Sequence, residues 1–470
     1  MIQLDEYYYK KTSELEKKIN EAFYYAIILA FVLTWLPFKS IGYFMPYISL
    51  LIFLLIANDN QRWYLSVMSL LSISFFVLLH FLLRTNFLLH SGLLTLITYG
   101  AIIVCFILPS RNYLSSLKTF NLYIRLVKKI IIIQSIVGII QLILGMNIRQ
   151  SNLDSDTGDV VQGTIHIFSF LPESSMGFGN QMFVINILLL ITFIVPSLAY
   201  KKSNIVAILF GFTAVMVASV LHLTASWLAA LFTIFFLFNP NIFNRYFIVL
   251  IIVAIFSIGT IIYTQPENYN LIERYITEYL SGESLKVLAT YQAVVEMPKE
   301  FLYTHVIGVG PGQFSSKAGL IGTGQYFGDF YNPTPIPFLP QAISDPFQKY
   351  GYSLWEYTNK PDIVKWINGT MNRTFYSALS LYTELGAIVF AVILFFFLKA
   401  VLFFRKCYNC QQLSKQDKTI ALCAAVNITF IFFICFFENY LETPQAIFSG
   451  ILLIKLSYGY LKYQSLEIEE

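Results

Sequence analysis

Long runs of apolar residues, each about as long as a bilayer-crossing helix, dominate the chain. A transmembrane helix needs roughly 20 mostly apolar residues, and only a helix satisfies all of its backbone hydrogen bonds inside hydrocarbon. The runs that fit this template are 22–38, 41–57, 63–83, 88–109, 127–145, 181–200, 204–221, 223–238, 245–264, 375–402, 419–437 and 445–461. The pattern therefore predicts an all-α polytopic membrane protein with about 12 transmembrane helices.

The composition agrees with lipid as the main solvent. Of the 470 residues, 57% are hydrophobic and only 12% are charged, whereas an average soluble domain has roughly 25% charged residues. So few charges cannot cover the surface of a soluble protein of this size, which excludes soluble, disordered and disulfide-scaffold classes. Cys407 and Cys410 have no second cysteine pair or histidine nearby, so a cytoplasmic loop is a better interpretation than a metal site.

The distribution of basic residues predicts the orientation in the membrane. With the N-terminus inside, cytoplasmic segments hold 20 of the 31 Lys and Arg residues, and the short outer loops hold only Lys39, Arg84 and Arg149. The positive-inside rule then places both termini in the cytoplasm. The polar first 20 residues show no cleavable signal peptide.

The predicted spans divide the chain into three parts. Residues 1–264 form an N-terminal transmembrane bundle of nine spans with an outer loop at 146–180, and residues 372–470 form the last three spans. Residues 265–371 form a long extracytoplasmic loop that begins with surface helices. Within this loop, segment 325–357 is rich in proline and aromatic residues, which predicts irregular structure.

A glycine-rich segment in the long loop is the first candidate for chemistry. Gly308, Gly310 and Gly312 surround Pro311, and such a tight backbone exposes amides that can approach a ligand or bind an anion. A turn that closes the preceding helix is the structural alternative.

The second candidate lies in the outer loop before the sixth span. His166 and Glu173 precede that span, and a carboxylate at the edge of the hydrocarbon can serve as a general acid or base. The alternative for Glu173 is a role at the start of the helix, where an acidic side chain is favourable.

The third candidate lies at the start of the tenth span. Arg373 opens the span and Glu384 lies about three turns further in. An ionisable residue at membrane depth is costly, so Glu384 is a functional candidate, whereas Arg373 is either functional or an interfacial anchor. Among the other basic residues of the long loop, Arg274 and Lys286 in the surface helices come next.

Four segments, in their order along the chain, resemble the O-antigen ligase and Wzy-type polysaccharide polymerase superfamily. Gly308–Phe314 (GVGPGQF) is similar to its loop signature, and Leu223–Leu231 is similar to its small-residue helix. Ile136–Gln141 followed by Pro172–Gly177 resembles its glutamine-bearing helix and the stretch that opens the next span. Ser377–Gly386 resembles the segment after the long loop. The order and topology of these segments, rather than any one motif, carry the resemblance.

The chain departs from the family pattern at two places, and the first of them argues against the ligase branch. The ligase branch usually has a histidine eleven residues before the glycine of the last segment, and that position is Phe375 here. The family also tends to have an arginine before an aromatic residue upstream of the glycine-rich loop, and here Lys286 precedes Tyr291. The departures leave the catalytic base of a polymerase unassigned.

The resemblance implies a glycosyltransferase in the bacterial plasma membrane that makes surface polysaccharide, such as O-antigen, capsule or exopolysaccharide. Such an enzyme moves a glycan from polyprenyl (undecaprenyl) diphosphate to a sugar hydroxyl of a second lipid-linked glycan, on the outer face of the membrane. It implies a metal-independent reaction with no cofactor. The implied partners are the lipid-linked donor and acceptor and membrane lipid, with a flippase and a chain-length regulator as further candidates and no nucleic acid.

The implied reaction suggests roles for the candidate residues. We expect Arg373, with Arg274 or Lys286, to bind the diphosphate, because cations neutralise the charge that develops on the leaving group. Glu173 is the candidate base or acceptor-positioning group, and His166 is an alternative base. The other positions expected to contact the diphosphate or glycan are Gly308, Gly310, Gly312 and Glu384.

Three alternatives stay open beside polymerisation. One is a ligase of the same superfamily, and another is a multi-span glycolipid transporter or flippase. The absence of an internal sequence repeat and the scarcity of ionisable residues within the spans weigh against a transporter. The third is a structural membrane protein, which the long glycine-bearing loop makes less attractive.

Overall fold

The structure is a computed structural model in which helices and connecting loops, with no β-strand, make up the described residues. The described residues are 17–29, 42–57, 59–108, 117–148, 160–170, 179–238, 245–264, 273, 276–327, 333–359 and 373–469.

The helices of the N-terminal part precede residue 265. They are α1 (17–29), α2 (Met45–Ala57), α3 (Asn60–Leu83), α4 (Leu89–Thr95), α5 (Ala101–Ile107), α6 (Leu117–Ile148), α7 (Gly179–Ile194), α8 (Ile205–Ala218), α9 (Leu221–Phe238) and α10 (Arg245–Thr264). A π-helix, Leu96–Gly100, joins α4 to α5.

The helices of the long loop and the C-terminal part follow. They are α11 (276–281), α12 (Leu285–Tyr291), α13 (Met297–Glu300), α14 (Thr304–Ile307), α15 (Lys317–Gly322), α16 (Asp345–Tyr350), α17 (Tyr352–Asn359), α18 (Ser377–Asn409), α19 (Lys415–Ile434) and α20 (Pro444–Glu469).

Six helical segments of the described chain are long and apolar enough to cross a membrane: Asn60–Leu83, Phe120–Gly145, Gly179–Ala199, Leu221–Phe238, Ser377–Asn409 and Lys415–Ile434. Four apolar helices are shorter: Met45–Ala57, Leu89–Cys105, Lys202–Ala218 and Ala254–Tyr263. The prediction of an all-α, membrane-embedded protein is confirmed by these helices, whereas the number of twelve spans stays a prediction. Part of the first predicted span, 30–38, lies outside the described residues.

Burial distinguishes the central helices from the peripheral ones. In α7, every residue except Met182 is buried, as expected of a helix that is apolar on all sides and packs within a bundle. In α18, by contrast, Phe395, Phe396 and Leu402 are all more than half exposed. Exposed aromatic and aliphatic side chains in a continuous apolar helix indicate a surface that faces lipid.

Helix α18 changes character at Gly386. This residue has φ 79° and ψ 169°, which interrupts the helix. Before it, Ser377, Ser380 and Glu384 are buried, and after it the lipid-facing surface begins. A side chain at Gly386 would contact the carbonyl oxygen of Val306, so the close approach of the long loop requires glycine here.

The described part of the long loop packs against the start of α18 rather than standing apart. A second hydrophobic core forms there, and its buried members are Ala289, Ala293, Met297, Val309, Phe314, Leu320, Phe347, Trp355, Phe375 and Leu379. The prediction of irregular structure over 325–357 is wrong in part, because α16 and most of α17 lie in this segment. The Ser344 side chain caps α16, and Pro346 occupies its first turn, where the missing amide hydrogen costs nothing.

Candidate functional site

The glycine-rich segment runs closely along the first turns of α18. Gly308, Gly310 and Gly312 have φ values of 76°, 111° and 69°, a region that favours glycine. The amide of Val309 donates to the carbonyl of Thr383 at 2.8 Å, and the Gly310 amide donates to the carbonyl of Glu384 at 3.0 Å. The segment is therefore fixed by backbone contacts that a side chain would prevent.

The amides of this segment bind an anion, which is the carboxylate of Glu384. One carboxylate oxygen accepts from Gly312 N at 2.6 Å, and the other accepts from Phe314 N at 3.0 Å and Ser316 N at 2.9 Å. Glu384 is only 2% exposed. The structure thus brings Glu384 together with Gly312. Binding of diphosphate or glycan by Glu384 and by the three glycines stays a prediction.

The same segment docks on the connection between α3 and α4. The Gln313 side chain accepts from Leu88 N at 2.9 Å and donates to Leu88 O at 3.0 Å. The Arg84 guanidinium donates to the carbonyl of Gly308. A side chain at Gly312 would meet the backbone of Ser91. These contacts hold the long loop to the N-terminal bundle at one end of the membrane helices, which we call the loop end.

Helix α15 starts directly after the glycine-rich segment and positions Lys317. Its first turn is capped by Ser316, whose hydroxyl accepts from Gly319 N at 3.1 Å. Lys317 is 5% exposed, its Nζ lies 3.8 Å from Oε1 of Glu438, and it lies 4.9 Å from the ring centroid of Tyr326. The site therefore contains a buried ion pair at a distance longer than a hydrogen bond.

Lys286, in α12 of the long loop, contacts the backbone just before α18 and the backbone between α19 and α20. Its Nζ donates to the carbonyl of Arg373 at 2.7 Å and to the carbonyl of Phe437 at 2.5 Å. Burial lowers the pKa of Lys286 to about 7; the charge of Glu438 opposes this shift, and the charge of Arg373 adds to it. The structure thus places Lys286 and Arg373, two of the residues expected at the diphosphate, next to each other.

Glu438 lies among three cations. Lys317, Arg373 and Lys286 all interact electrostatically with its carboxylate, and their charges oppose the burial that raises its pKa. The side chain is 4% exposed, and its Oε2 has no hydrogen-bond partner among the described residues. We call Lys286, Lys317, Arg373 and Glu438 the cation cluster.

A second carboxylate lies beside the cation cluster. Glu442 is fully buried and accepts from the backbone amide of Lys317. Burial, reinforced by the charge of Glu384, raises the pKa of Glu442 to about 8. Burial thus favours the neutral form of Glu442, which reduces the negative charge beside the cluster.

A row of hydrogen-bonded polar side chains lies beside the cluster at the loop end. His222 Nε2 lies 2.9 Å from the Tyr440 hydroxyl, and that hydroxyl donates to the Gln181 side chain at 2.9 Å. The ring of His222 lies 5.5 Å from the ring of Phe437, whose carbonyl binds Lys286. The connection 435–443 thus links this row of side chains to the cation cluster.

Three further predicted site residues are His166, Glu173 and Arg274. Glu173 and Arg274 lie outside the described residues. His166 ends a short 3-10 helix, Gly163–His166, whose Gly163 and His166 carbonyls each accept from the Gln141 side chain at 2.8 Å. The catalytic roles expected of His166 and Glu173 stay predictions.

Sequence reasoning missed Lys317, Glu438, Glu442 and His222. A signal for the two glutamates was available, because two carboxylates four residues apart occupy the short connection between two strongly apolar helices. Charged side chains at such a place are costly, so these two glutamates are candidates for a functional role. Lys317 comes five residues after Gly312 and carries no comparable pattern.

Among the described residues, no group of three or more His, Cys, Asp or Glu side chains is arranged to hold a metal ion. The expectation of a metal-independent reaction stays a prediction. Comparisons with family models, with curated proteins and with solved structures give no match for this chain.

Proposed function

We propose that this protein is a membrane glycosyltransferase that polymerises polyprenyl-diphosphate-linked oligosaccharide repeat units, with the cation cluster as its diphosphate site. The observation that carries this proposal is the cluster itself. At the end of an apolar helix bundle, Lys317 Nζ lies 3.8 Å from Glu438 Oε1, and the charges of Lys286 and Arg373 act on the same carboxylate. A buried excess of positive charge is costly unless an anion compensates it, and a diphosphate supplies the missing charge.

The chemistry of the transfer needs this arrangement. The acceptor hydroxyl oxygen bonds to the anomeric carbon of the donor, the bond from that carbon to the phosphate oxygen breaks, and its electron pair leaves with the lipid diphosphate. The hydroxyl proton passes to a base. Arg373 can bind two phosphate oxygens with its planar fork, whereas Lys286 and Lys317 act as point charges. Fixed cations stabilise the charge that grows on the leaving group.

The lipid part of the donor fits the same end of the molecule. The lipid-facing surface of α18 begins after Gly386, two residues beyond Glu384. A polyprenyl chain lying along this surface would bring its diphosphate to the loop end, near the start of α18 and Arg373. Lys286 and Lys317 are 6% and 5% exposed, so donor binding requires the loop end to open and admit the phosphate oxygens.

One observation favours polymerisation over ligation. Phe375, at the position where the ligase branch has its histidine, is buried in the second core. Its ring lies 5.9 Å from the ring of Phe314 and 5.7 Å from that of Phe347. An aromatic side chain packed in this way supports the core and supplies no proton acceptor.

Deletion of the gene tests the proposed function. We expect the deletion strain to carry surface glycan of a single repeat unit and the wild-type gene to restore long chains. Long-chain polymer that persists on the surface of the deletion strain contradicts the proposal. Long lipid-linked polymer that stays unattached indicates the ligase instead. Purified protein in liposomes that moves a glycolipid without joining glycans indicates the transporter.

The proposed outer location of the loop end has its own test. Phe338 is fully exposed in the long loop, so a cysteine there should react with a membrane-impermeant maleimide on intact cells. A variant with Cys410→Ser removes the one native cysteine that is not fully buried. Labelling of Phe338→Cys only after the membrane is permeabilised places the loop end in the cytosol and contradicts the proposal.

A further inference from the structure

We propose that Glu438 is a displaceable internal counter-ion: it compensates the three cations while the site is empty, leaves them when a polyprenyl diphosphate binds, and returns to expel the diphosphate product. This inference rests on the proposed function, because it assumes that the cation cluster receives a diphosphate. It concerns how the same site stays intact without its ligand and how it releases a tightly bound product.

The charges of the cluster require an anion at all times. Lys286, Lys317 and Arg373 each act electrostatically on Glu438, and Arg373 also lowers the pKa of Lys286 by like-charge repulsion. Like charges held together in a buried place repel strongly because the local dielectric is low. Without Glu438 the empty site would be forced apart or would lose a proton from Lys286.

Among the described residues, the carboxylate of Glu438 interacts with its neighbours electrostatically. Its Oε1 lies 3.8 Å from Lys317 Nζ, beyond hydrogen-bond distance, and its Oε2 has no hydrogen-bond partner among the described residues. Displacing it therefore breaks the ion pair with Lys317 but no hydrogen bond from a described residue to Oε2. A diphosphate brings more negative charge and more oxygens than one carboxylate, so it competes well for the same cations.

The backbone that carries Glu438 is held by hydrogen bonds, so the carboxylate can be withdrawn by movement of its side chain once the loop end opens. The Glu438 carbonyl accepts from Ser377 N and from Ser377 Oγ, both at 3.3 Å. The next residue, Asn439, donates from its side chain to the Ser315 carbonyl at 2.7 Å. With the loop end open, rotation about the side-chain bonds of Glu438 withdraws the carboxylate while the connection 435–443 stays in place.

Competition between Glu438 and the diphosphate predicts an effect opposite to that of an ordinary binding residue. Removing the charge of Glu438 should strengthen diphosphate binding and slow its release. The test measures binding and dissociation of undecaprenyl diphosphate with purified protein in nanodiscs, for the wild type and for Glu438→Gln. We expect the variant to bind roughly tenfold more tightly, mostly through slower dissociation. Undecaprenol, which has no phosphate, should bind equally to both.

A matched control makes the same chemical change at an exposed glutamate of the long loop. Glu300 is exposed and pairs with Lys349 on the surface, so Glu300→Gln should leave both affinity and dissociation rate unchanged. Equal or weaker binding by a folded Glu438→Gln protein overturns the inference. If that variant does not fold, Glu438→Asp carries the test: its charge is retained but withdrawn by one methylene, and binding about twofold to threefold tighter is expected. Unchanged or weaker binding by Glu438→Asp then overturns the inference.

Failure of the proposed function gives a different result. If wild-type protein binds undecaprenyl diphosphate no better than undecaprenol, the diphosphate site itself is wrong. If the wild type binds the diphosphate and Lys317→Met weakens binding, while Glu438→Gln has no strengthening effect, the site stands and only the counter-ion role is overturned.

Discussion

Two buried carboxylates at the loop end are held in opposite ways. Glu384 is 2% exposed and accepts three backbone amide hydrogen bonds, from Gly312, Phe314 and Ser316. Glu438 is 4% exposed and is surrounded by cations, yet its Oε2 has no hydrogen-bond partner among the described residues. The two carboxylates are therefore about equally buried, but Glu384 is stabilised by hydrogen bonds and Glu438 by nearby positive charge.

The difference separates a structural anion from an exchangeable one. A carboxylate that accepts several amide hydrogen bonds cannot leave without exposing those amides, and each unsatisfied buried donor costs free energy. A carboxylate held by charge alone can be replaced by another anion of equal or greater charge. We therefore interpret Glu384 as the element that fixes the glycine-rich segment, and the cation cluster as the place for the substrate.

Replacing Glu384 should have the largest effect on the folded state. In Glu384→Gln, an amide group faces backbone donors, so at least one hydrogen bond is lost and one buried amide is left unsatisfied. We expect a loss of about 3–5 kcal/mol in the free energy of unfolding, or no folded protein. Thermal unfolding in detergent measures this effect, with Glu300→Gln as the control. A melting temperature unchanged from the wild type would show that Glu384 does not fix the segment.

Replacing Lys317 should have the largest effect on activity. Lys317→Met keeps the length of the side chain and removes its charge, so we expect extension of a lipid-linked repeat unit to fall by roughly 10²- to 10³-fold. Removing one partner of a buried ion pair is destabilising, but the charges of Lys286 and Arg373 still act on Glu438, so the protein should still fold. The rate of chain extension checks this, and wild-type rates in a folded Lys317→Met protein would remove this residue from the site.

The glycine-rich segment can be compared with a glycine that lies in open space. Gly312 and Gly282 both have positive φ, 69° and 78°, but a side chain at Gly312 meets the backbone of Ser91, whereas Gly282 has nothing within 4 Å. Both alanine variants bear a conformational cost of about 1–2 kcal/mol. Gly312→Ala should lose a further 1–3 kcal/mol or so through overpacking. Equal unfolding temperatures for the two variants would show that the close contact does not matter.

The smallest predicted effect is a dependence on pH through Lys286. Its pKa is lowered to about 7 in the folded protein, against about 10.4 in an unfolded chain. Between these values the unfolded state binds more protons, so Lys286 contributes a free energy of unfolding that rises with pH. Its positive charge is lost over the same range, so affinity for undecaprenyl diphosphate should fall above pH 7.

The variant Lys286→Arg isolates this effect. Arginine keeps its charge, while Glu438, Arg373 and His222, which interact with this position, are unchanged. We expect the wild type to lose several-fold more affinity than Lys286→Arg between pH 6 and pH 9. Parallel curves for the two proteins would show that Lys286 does not titrate at the site.

Much of the fold follows from the sequence, because hydrocarbon imposes a simple rule. Apolar runs predict the membrane helices, and the six long segments of the structure lie where such runs occur. The short helices α16 and α17 do not follow from the sequence if proline is taken only as a helix breaker. The serine cap at Ser344 and the first-turn Pro346 are signals that start a helix.

The candidate site was only partly predictable. The positive φ values at Gly308 and Gly312 and the proximity of Lys286 to Arg373 agree with what the sequence suggests. The partners of these residues depend on long-range packing. Gly312 meets a carboxylate 72 positions away, and Lys286 meets a carbonyl 151 positions away. No local pattern encodes such pairs, so Glu438 could not be assigned to the cations from its own surroundings in the chain.

The most direct test of the central claim is extension of a lipid-linked repeat unit by purified protein, with the wild type compared with Arg373→Ala and Arg373→Lys. We expect the wild type to make long chains and Arg373→Ala to fold but make almost none. Arg373→Lys should recover part of the activity, because it keeps the charge without the planar fork. Full activity of Arg373→Ala, or no extension by folded wild-type protein supplied with its own repeat unit, would contradict the claim that these cations bind the diphosphate during glycan transfer.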